Sequence, residues 1–544
     1  MKIIRLVCLL SIILTSCIVS SCWKKNRENN KITLNLNITQ DPITFDPRKG
    51  SDFASSTLLF LMYEGLVRVS ACCDEISLAI AEKVELSEDM TKYTFHLKDA
   101  KWSNGSNITA FDFIQTWKDM LKPNFPCPNV HMLYSIKNAE RAKLGQVSDS
   151  EIGLTAIDYK TLEICLERPT PFFLEMISFS LFSPINQLLA SANSNWADSR
   201  NNVLVTNGPY RLSKYIKGRE IILEKNPYYW DSKNVKLEKI NFSIVGNELT
   251  VLNMFDLGEI DILGLPFTGI PPDSIPHLIN NGEIKTSHMP ASTICCFNMS
   301  NFPFTNINIR KAFAYAINRQ EIVDNITQKG ESIGTNLIPQ ALSNSQVHAF
   351  FKDNDKEKAK MYFEKGLKEL GITKDELGTI TLLYASTDIY PKIAQALQDQ
   401  WKKSLGVDIQ LTGHEYKIFL DKLTKKDYQL AQCIWVAQYP DPMNFFERFT
   451  NKNNLKNYPG YENKNYNAIL DRSITCSKKE LRFKVLNEAE QMLIDEMPLT
   501  AIYHWNNAYM QKPYVKNLLI NKNGFFCLNS IEFSDCNKKK TINE

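Results

Sequence analysis

The sequence predicts an α/β fold built as more than one domain, on three observations. Apolar residues recur at period 2 in some stretches and at helical spacing in others, and in the second half helix patterns lead into strand patterns. The chain has 544 residues, and about 100–200 residues per domain gives three or four domains, or two large lobes. The composition, 44% hydrophobic and 23% charged, is that of a soluble globular chain. It excludes disorder, collagen-like repeats and a multi-span membrane protein.

In chain order, the first element is a strand. Lys31 to Ile38 alternates strictly, with Ile32, Leu34, Leu36 and Ile38 on one face, as a half-buried strand requires. Tyr93, Phe95 and Leu97 repeat the pattern and lead to the turn-rich Trp102-Ser103-Asn104-Gly105. Ile309, Ala312, Phe313, Ala316 and Ile317 form one apolar stripe at helical spacing. A second helix carries Ala359, Tyr362, Phe363, Leu367 and Leu370, and Gly371 is expected to stop it. A third carries Ala394, Leu397, Trp401 and Leu405 between Pro391 and Gly406, after which Val407, Ile409 and Leu411 alternate as a strand. Thr268 to Pro276 and the segment 336–354 read as surface connections, and no internal repeat or low-complexity tract occurs.

The N-terminus reads as an export signal. Lys2 and Arg5 precede the apolar run Leu6 to Leu14, which falls short of the roughly 20 residues a spanning helix needs. Leu14-Thr15-Ser16-Cys17 and Val19-Ser20-Ser21-Cys22 both resemble the lipobox of bacterial lipoproteins, whose cysteine is lipidated and becomes the mature N-terminus. Cys22 is favoured, because Lys24-Lys25-Asn26-Arg27-Glu28 after it suits a tether; Cys17 is the alternative, and a plain secretory signal the other. Each reading puts the folded part outside the cytoplasm. Setting Lys2 and Arg5 aside leaves a net charge of about +1, which offers nothing to attract nucleic acid.

Chemistry is sparse. Setting aside Cys8, Cys17 and Cys22, the cysteines include the adjacent pairs Cys72-Cys73 and Cys295-Cys296, with no CxxC and no Cys/His spacing typical of zinc. An exported protein can form disulfides, but spacing does not give their connectivity. There is no glycine-rich phosphate loop, HExxH or GxSxG, and the seven histidines are scattered singly. The expectation is a binding protein with no cofactor, no metal and no catalytic residues.

Several blocks, in this order, resemble one family. The most specific runs from Ala81-Glu82 through Tyr93-Thr94-Phe95-His96-Leu97-Lys98-Asp99-Ala100-Lys101-Trp102-Ser103-Asn104-Gly105 to Thr109-Ala110-Phe111-Asp112-Phe113, with Asn104 where aspartate is usual. Asp46-Pro47, Tyr63-Glu64-Gly65-Leu66, Thr206-Asn207-Gly208-Pro209-Tyr210, Asn226-Pro227-Tyr228-Tyr229-Trp230, Gly258-Glu259-Ile260-Asp261, Arg310-Lys311-Ala312 and Ala316-Ile317-Asn318-Arg319 continue the series. On these blocks the chain resembles the oligopeptide-binding lipoproteins of ABC importers, the family 5 (peptide/nickel-binding) extracellular solute-binding proteins, from about Lys31 to about Phe526. The resemblance implies a two-lobed α/β clam of the periplasmic-binding type, with mixed sheets flanked by helices, an extra domain and a hinge between the lobes. After a signal peptide (1–21) and tether (22–30), lobe I would comprise 31–63, 188–290 and 506–530. The extra domain would be 64–187 and lobe II 291–505. It further implies a monomer that binds peptide ligands between its lobes by strand-like hydrogen bonds and delivers them to ABC permease subunits. The N-terminal lipid would anchor it in the periplasm or on the outer face of the cell membrane.

The same resemblance nominates ligand-binding residues and two departures. Phe53 and Ala291 align with residues that hydrogen-bond the peptide through their backbone, and Ala437 lies in the clamping segment Trp435 to Pro442. Trp435 would wall a side-chain pocket or serve as a core aromatic. Tyr503, with His504 and Trp505, aligns with a tyrosine-rich segment lining the cleft, and Tyr390 with a histidine that reaches longer peptides. Gln438 stands where oligopeptide binders carry the aspartate that meets the ligand's α-ammonium, and Gln432 where tripeptide binders carry an arginine for its carboxylate. A charge-assisted bond contributes about 1.5–3 kcal/mol, so ordinary tripeptides are expected to bind weakly, or a modified peptide such as a murein peptide to be preferred. Asp441 would compensate only if its loop is reorganised; Lys422, Lys425 and Lys426 are nearby cations or a solvated face. A metal chelate or other solute, and a surface lipoprotein for adhesion or signalling on the same fold, are the alternatives.

Overall fold

Leu34, Leu36 and Ile38 are buried along β1 (Thr33–Ile38), as their alternation requires. Asn37, on the other face, is buried too, because its amide binds the Val245 carbonyl (2.9 Å) and Thr268 Oγ1 (2.7 Å). The structure is a computed structural model that describes residues 33–70, 75–193, 195–197, 204–343, 348–387, 389–476 and 478–534. Cys17, Cys22, Lys31, Ile32 and the Cys72-Cys73 pair lie outside the described residues.

Helix α1 (Phe53–Met62) follows, capped by Asp52, whose carboxylate accepts the Ser55 N–H. A ribbon of β2 (Val67–Val69) and β3 (Ile76–Leu78) leads to an antiparallel sheet of β4 (Ala81–Leu86), β5 (Lys92–Leu97), β6 (Leu154–Ala156) and β7 (Thr161–Cys165), ordered β4-β5-β7-β6. Helix α2 (Ala110–Leu121) covers it, started by a capping box between Thr109 and Asp112. Trp102, Phe113 and Trp117 are fully buried in that core, so the Trp102–Gly105 turn serves packing, with Gly105 at φ 88°. β8 (Tyr210–Ile216), β9 (Glu220–Lys225) and β10 (Lys239–Ile244) then return to β1, giving the order β1-β10-β9-β8 with β1 and β10 parallel.

The third sheet has β11 (Ile262–Gly264), β12 (Lys285–Phe297), β13 (Ser332–Ile333), β14 (Ile380–Ala385), β15 (Ile409–His414), β16 (Leu430–Val436) and β17 (Leu499–Gln511). Its order is β11-β17-β12-β16-β14-β15, with β13 also on β17. Helices α3 (Ile307–Tyr315), α4 (Lys356–Leu370) and α5 (Tyr390–Leu405) share one core with this sheet. There Trp401 donates its indole N–H to the Phe313 carbonyl (2.9 Å), and the Arg310 guanidinium is spent on the carbonyls of Phe304, Thr305, Glu496 and Met497. Gly371 and Gly406 stop α4 and α5 at φ 69° and 67°. The result is an α/β, two-lobed arrangement of mixed sheets flanked by helices.

Two expected connections differ. Thr268 to Pro276 is a connection only to Pro271, because a 3-10 turn (Pro272–Ser274) runs into a short helix (Ile275–Asn280). Proline suits the first turn of a helix, where its missing N–H is not needed. The 336–354 segment is not confined to the surface: Leu337, Ile338, Leu342 and Phe351 are buried. Glu490 on the helix Lys479–Glu496 accepts the N–H groups of Leu337 and Ile338 at 2.7 and 2.9 Å.

Candidate functional site

β12 and β17 are the two longest strands, and their partners change partway along. Lys285 to His288 pair with Tyr509 to Asn506, and Ser292 to Cys296 with His504 to Leu499. At the slip between these stretches, residues 289–291 of β12 oppose Trp505 alone, a bulge that bends the strand. Beyond the slip β12 gains β16 on its free edge, from Ala291 opposite Val436; before it, β17 carries β11 instead.

The end of β16 is tied into this bend by Ala437, whose N–H donates to the Pro290 carbonyl at 2.8 Å. Ala291 and Ala437 therefore adjoin, both buried. The next residue, Gln438, reaches across the molecule: its Nε2 donates to Asn129 Oδ1 at 2.6 Å, and Asn129 in turn donates to the Gly50 carbonyl at 3.4 Å. Gly50 lies just before α1, whose first residue, Phe53, is 40% exposed. Phe53 and Gln438 thus flank one seam. Beside it Tyr439 stacks on Phe172 at 5.6 Å, and both oxygens of Asp441 are bound by Arg482 at 2.6 and 2.7 Å. Asp441 has no oxygen left to replace the acid missing at Gln438.

Alternation along β16 sends the nominated residues to opposite faces. Trp435 packs with Cys433 and Ala437 against Phe445 and Phe449, its ring centroid 5.4 Å from each, with the Arg448 guanidinium 4.2 Å over it. Trp435 is a core aromatic. Gln432 faces the other way, opposite Cys295, and both polar atoms of its amide are buried without a protein partner, as are Trp435 Nε1 and Gln438 Oε1. On the Gln432 side, Tyr503 stands opposite Thr293, and Trp505 Nε1 donates to Thr293 Oγ1 at 2.9 Å. Burial holds the Tyr503 phenol well above its usual range.

His504 is enclosed between Ser292 and Asn336, at 2.7 Å from Nδ1 and 3.0 Å from Nε2. Asn336 gives its own amide N–H to the Ile338 carbonyl, so its oxygen faces the ring; Nε2 carries the proton and Nδ1 accepts from Ser292. Burial lowers the imidazole to about 3. Lys422 and Lys425 are spent on Asp427 and Asp421, and Lys426 on the Lys452 carbonyl, so these cations serve the surface.

Residue-by-residue reading missed the polar groups around Trp435. His131, from the 3-10 turn Val130–Leu133, lies near Gln438, Arg448 and Lys456, and Lys456 lies near Arg448 and Glu447. Burial raises Glu447 to about 7, lowers Lys456 to about 7 with help from Arg448, lowers Arg448 to about 10, and lowers His131 to about 3. Their one trace in the sequence is a charged pair, Glu447-Arg448, inside the aromatic run Phe445-Phe446 and Phe449. Among the described residues, no three His, Cys, Asp or Glu side chains are grouped to hold a metal ion, and no helix is long and apolar enough to cross a membrane.

Residues 75–457 match the middle region of the bacterial extracellular solute-binding proteins, family 5. The oligopeptide-binding protein OppA of Bacillus subtilis is 36% identical over 527 residues, covering 95% of this chain and 96% of that one. The crystal structure of the oligopeptide-binding protein OppAIV of Borrelia burgdorferi superimposes with a TM-score of 0.79 at 28% identity, covering 93% of this chain and all of that one (100%). Haemophilus influenzae OppA, in complex with RPPGFSPFR, gives 0.78 at 26% identity, covering 92% and 99%.

Proposed function

The chain belongs to family 5 of the bacterial extracellular solute-binding proteins, and on that premise we propose that it captures oligopeptides in the seam between its lobes and delivers them to an ABC permease. It binds and releases its cargo chemically unchanged. The observation that carries the reading is the pair of buried polar atoms without protein partners at the end of β16 and in the loop after it, Trp435 Nε1 and Gln438 Oε1. Such groups are costly inside a protein, and a peptide main chain brings the donors and acceptors that satisfy them. Likeness to an OppA held in complex with a nonapeptide supports the same class of cargo.

Lobe I comprises 31–63, 188–290 and 506–530, the extra domain 64–187 and lobe II 291–505. The slip in β12 and β17 at residues 288–292 and 504–506 supports a hinge there. The chain works as a monomer, outside the cytoplasm, anchored through lipid on Cys22. In membrane fractions of a producing cell, Cys22→Ser is expected to release the protein and Cys17→Ser to leave it bound; the reverse pattern would move the anchor to Cys17.

Neutral Gln438, with Asp441 already spent on Arg482, favours a cargo whose α-amino group needs no counter-charge. Calorimetric titration with free and N-acetylated tri- to pentapeptides tests both points. Acetylated peptides are expected to bind at least as well as free ones. Submicromolar binding confined to free tripeptides would refute the weakened anchor, and no binding of any peptide would refute the peptide reading.

A further inference from the structure

Arg448 is 7% exposed, yet among the described residues no carboxylate pairs with it. Its contacts include the Asn444 carbonyl (3.0 Å), Asn444 Oδ1 (3.3 Å), the face of Trp435 and, at 6.0 Å, the ring of Phe445. Lys456 stands close enough for the two cations to oppose each other; Glu447 acts on it electrostatically, but among the described residues no carboxylate forms an ion pair with it. The acid in the neighbourhood, Glu447, accepts from Asn444 Nδ2 (3.5 Å) and lies within electrostatic reach of both cations without forming an ion pair with either. A buried guanidinium without a counter-ion is costly, and one beside a second cation more so. Glu447, Lys456, Tyr458 and His131 are hemmed in closely enough that burial dominates their titration, yet each keeps partial solvent exposure. Trp435 and Gln438 stand beside this group, and Trp435 Nε1 and Gln438 Oε1 have no protein partner.

We propose that Arg448 and Lys456 form an anion subsite at the Trp435 side of the cleft that takes a carboxylate of the bound peptide, from an acidic side chain or from the C-terminus. The proposal rests on the peptide-binding reading and narrows its cargo. Guanidinium offers a planar pair of N–H donors that fits both carboxylate oxygens, and the Lys456 ammonium adds a point charge. Stacking on Trp435 holds the guanidinium in one orientation before cargo arrives.

The test is calorimetry on the mature chain with matched synthetic peptides. Ala-Glu-Ala-amide against Ala-Gln-Ala-amide reads the side-chain source, and Ala-Gln-Ala as free acid against amide reads the C-terminal source. In one of these pairs the carboxylate is expected to tighten binding about tenfold or more, and Lys456→Gln and Arg448→Gln to abolish most of that preference. Arg448→Lys, which keeps the charge, should retain part of it, and guards against a fold lost with the guanidinium. Equal affinity within both pairs overturns the subsite and leaves peptide binding standing. If no peptide binds, glutarate decides: raising the melting temperature of the wild type but not of Lys456→Gln keeps the anion site and rejects peptide cargo, and no shift rejects both.

Discussion

His504 carries one of the plainest single-residue consequences of this structure. It is buried and neutral, held by Ser292 and Asn336 with a folded value of about 3. In the unfolded chain it titrates near 6.5, so the unfolded state gains a proton that the folded state refuses. Stability is therefore lost as pH falls below about 6.5, by about 1.4 kcal/mol at about pH 5.5. Denaturation curves at about pH 7.5 and 5.5 should show that loss in the wild type and a smaller one in His504→Gln; equal slopes would place the acid sensitivity elsewhere. The sequence displayed His504 as one of several isolated histidines and as a member of the Tyr503-Trp505 aromatic cluster, without its partners, which lie 168 and 212 residues away. Asp441 was visible as an acidic loop residue, but that Arg482 occupies both its oxygens follows from packing of the loop against a distant helix.

Secondary elements were read with more success, since spacing along one segment suffices for them. The stripes of α3, α4 and α5 face their common core, and the glycines expected at two helix ends have the left-handed backbone that only glycine adopts without strain. Gly371→Ala is expected to cost about 1 kcal/mol, read as a shift of the urea midpoint with unchanged slope; a variant as stable as the wild type would show that the cap relaxes freely. Elements that depend on distant partners were read less well. The 336–354 segment lacks periodicity, so it passed for surface, although contacts with the helix Lys479–Glu496 bury its apolar residues.

At the scale of the molecule, several contacts close the seam: Gln438 on Asn129, Tyr439 on Phe172 and Arg168 on Asp471. Each joins residues below 187 to residues above 437, and each is small enough to break when the lobes part. The exposed Arg168–Asp471 pair contributes about 0–1 kcal/mol, so closure is set by the seam and its cargo. Small-angle scattering is expected to show a smaller radius of gyration with saturating peptide than without. Gln438→Ala, which removes the reach to Asn129, should enlarge the cargo-free form. An unchanged radius in every state would mean that the lobes do not move.

By itself the sequence determined the most periodic strands and helices, the α/β class and the family, because each is written in local spacing or in the order of short blocks. The tertiary structure decided who meets whom. Gln438 and Asn129 are 309 residues apart, and Trp435 turns one way while Gln432 turns the other. Among the described residues Arg448 forms no ion pair and is held by Asn444 and aromatic faces. Such partnerships arise where separate segments compete for the same space in the closed molecule, and periodicity within any one of them carries no record of the outcome.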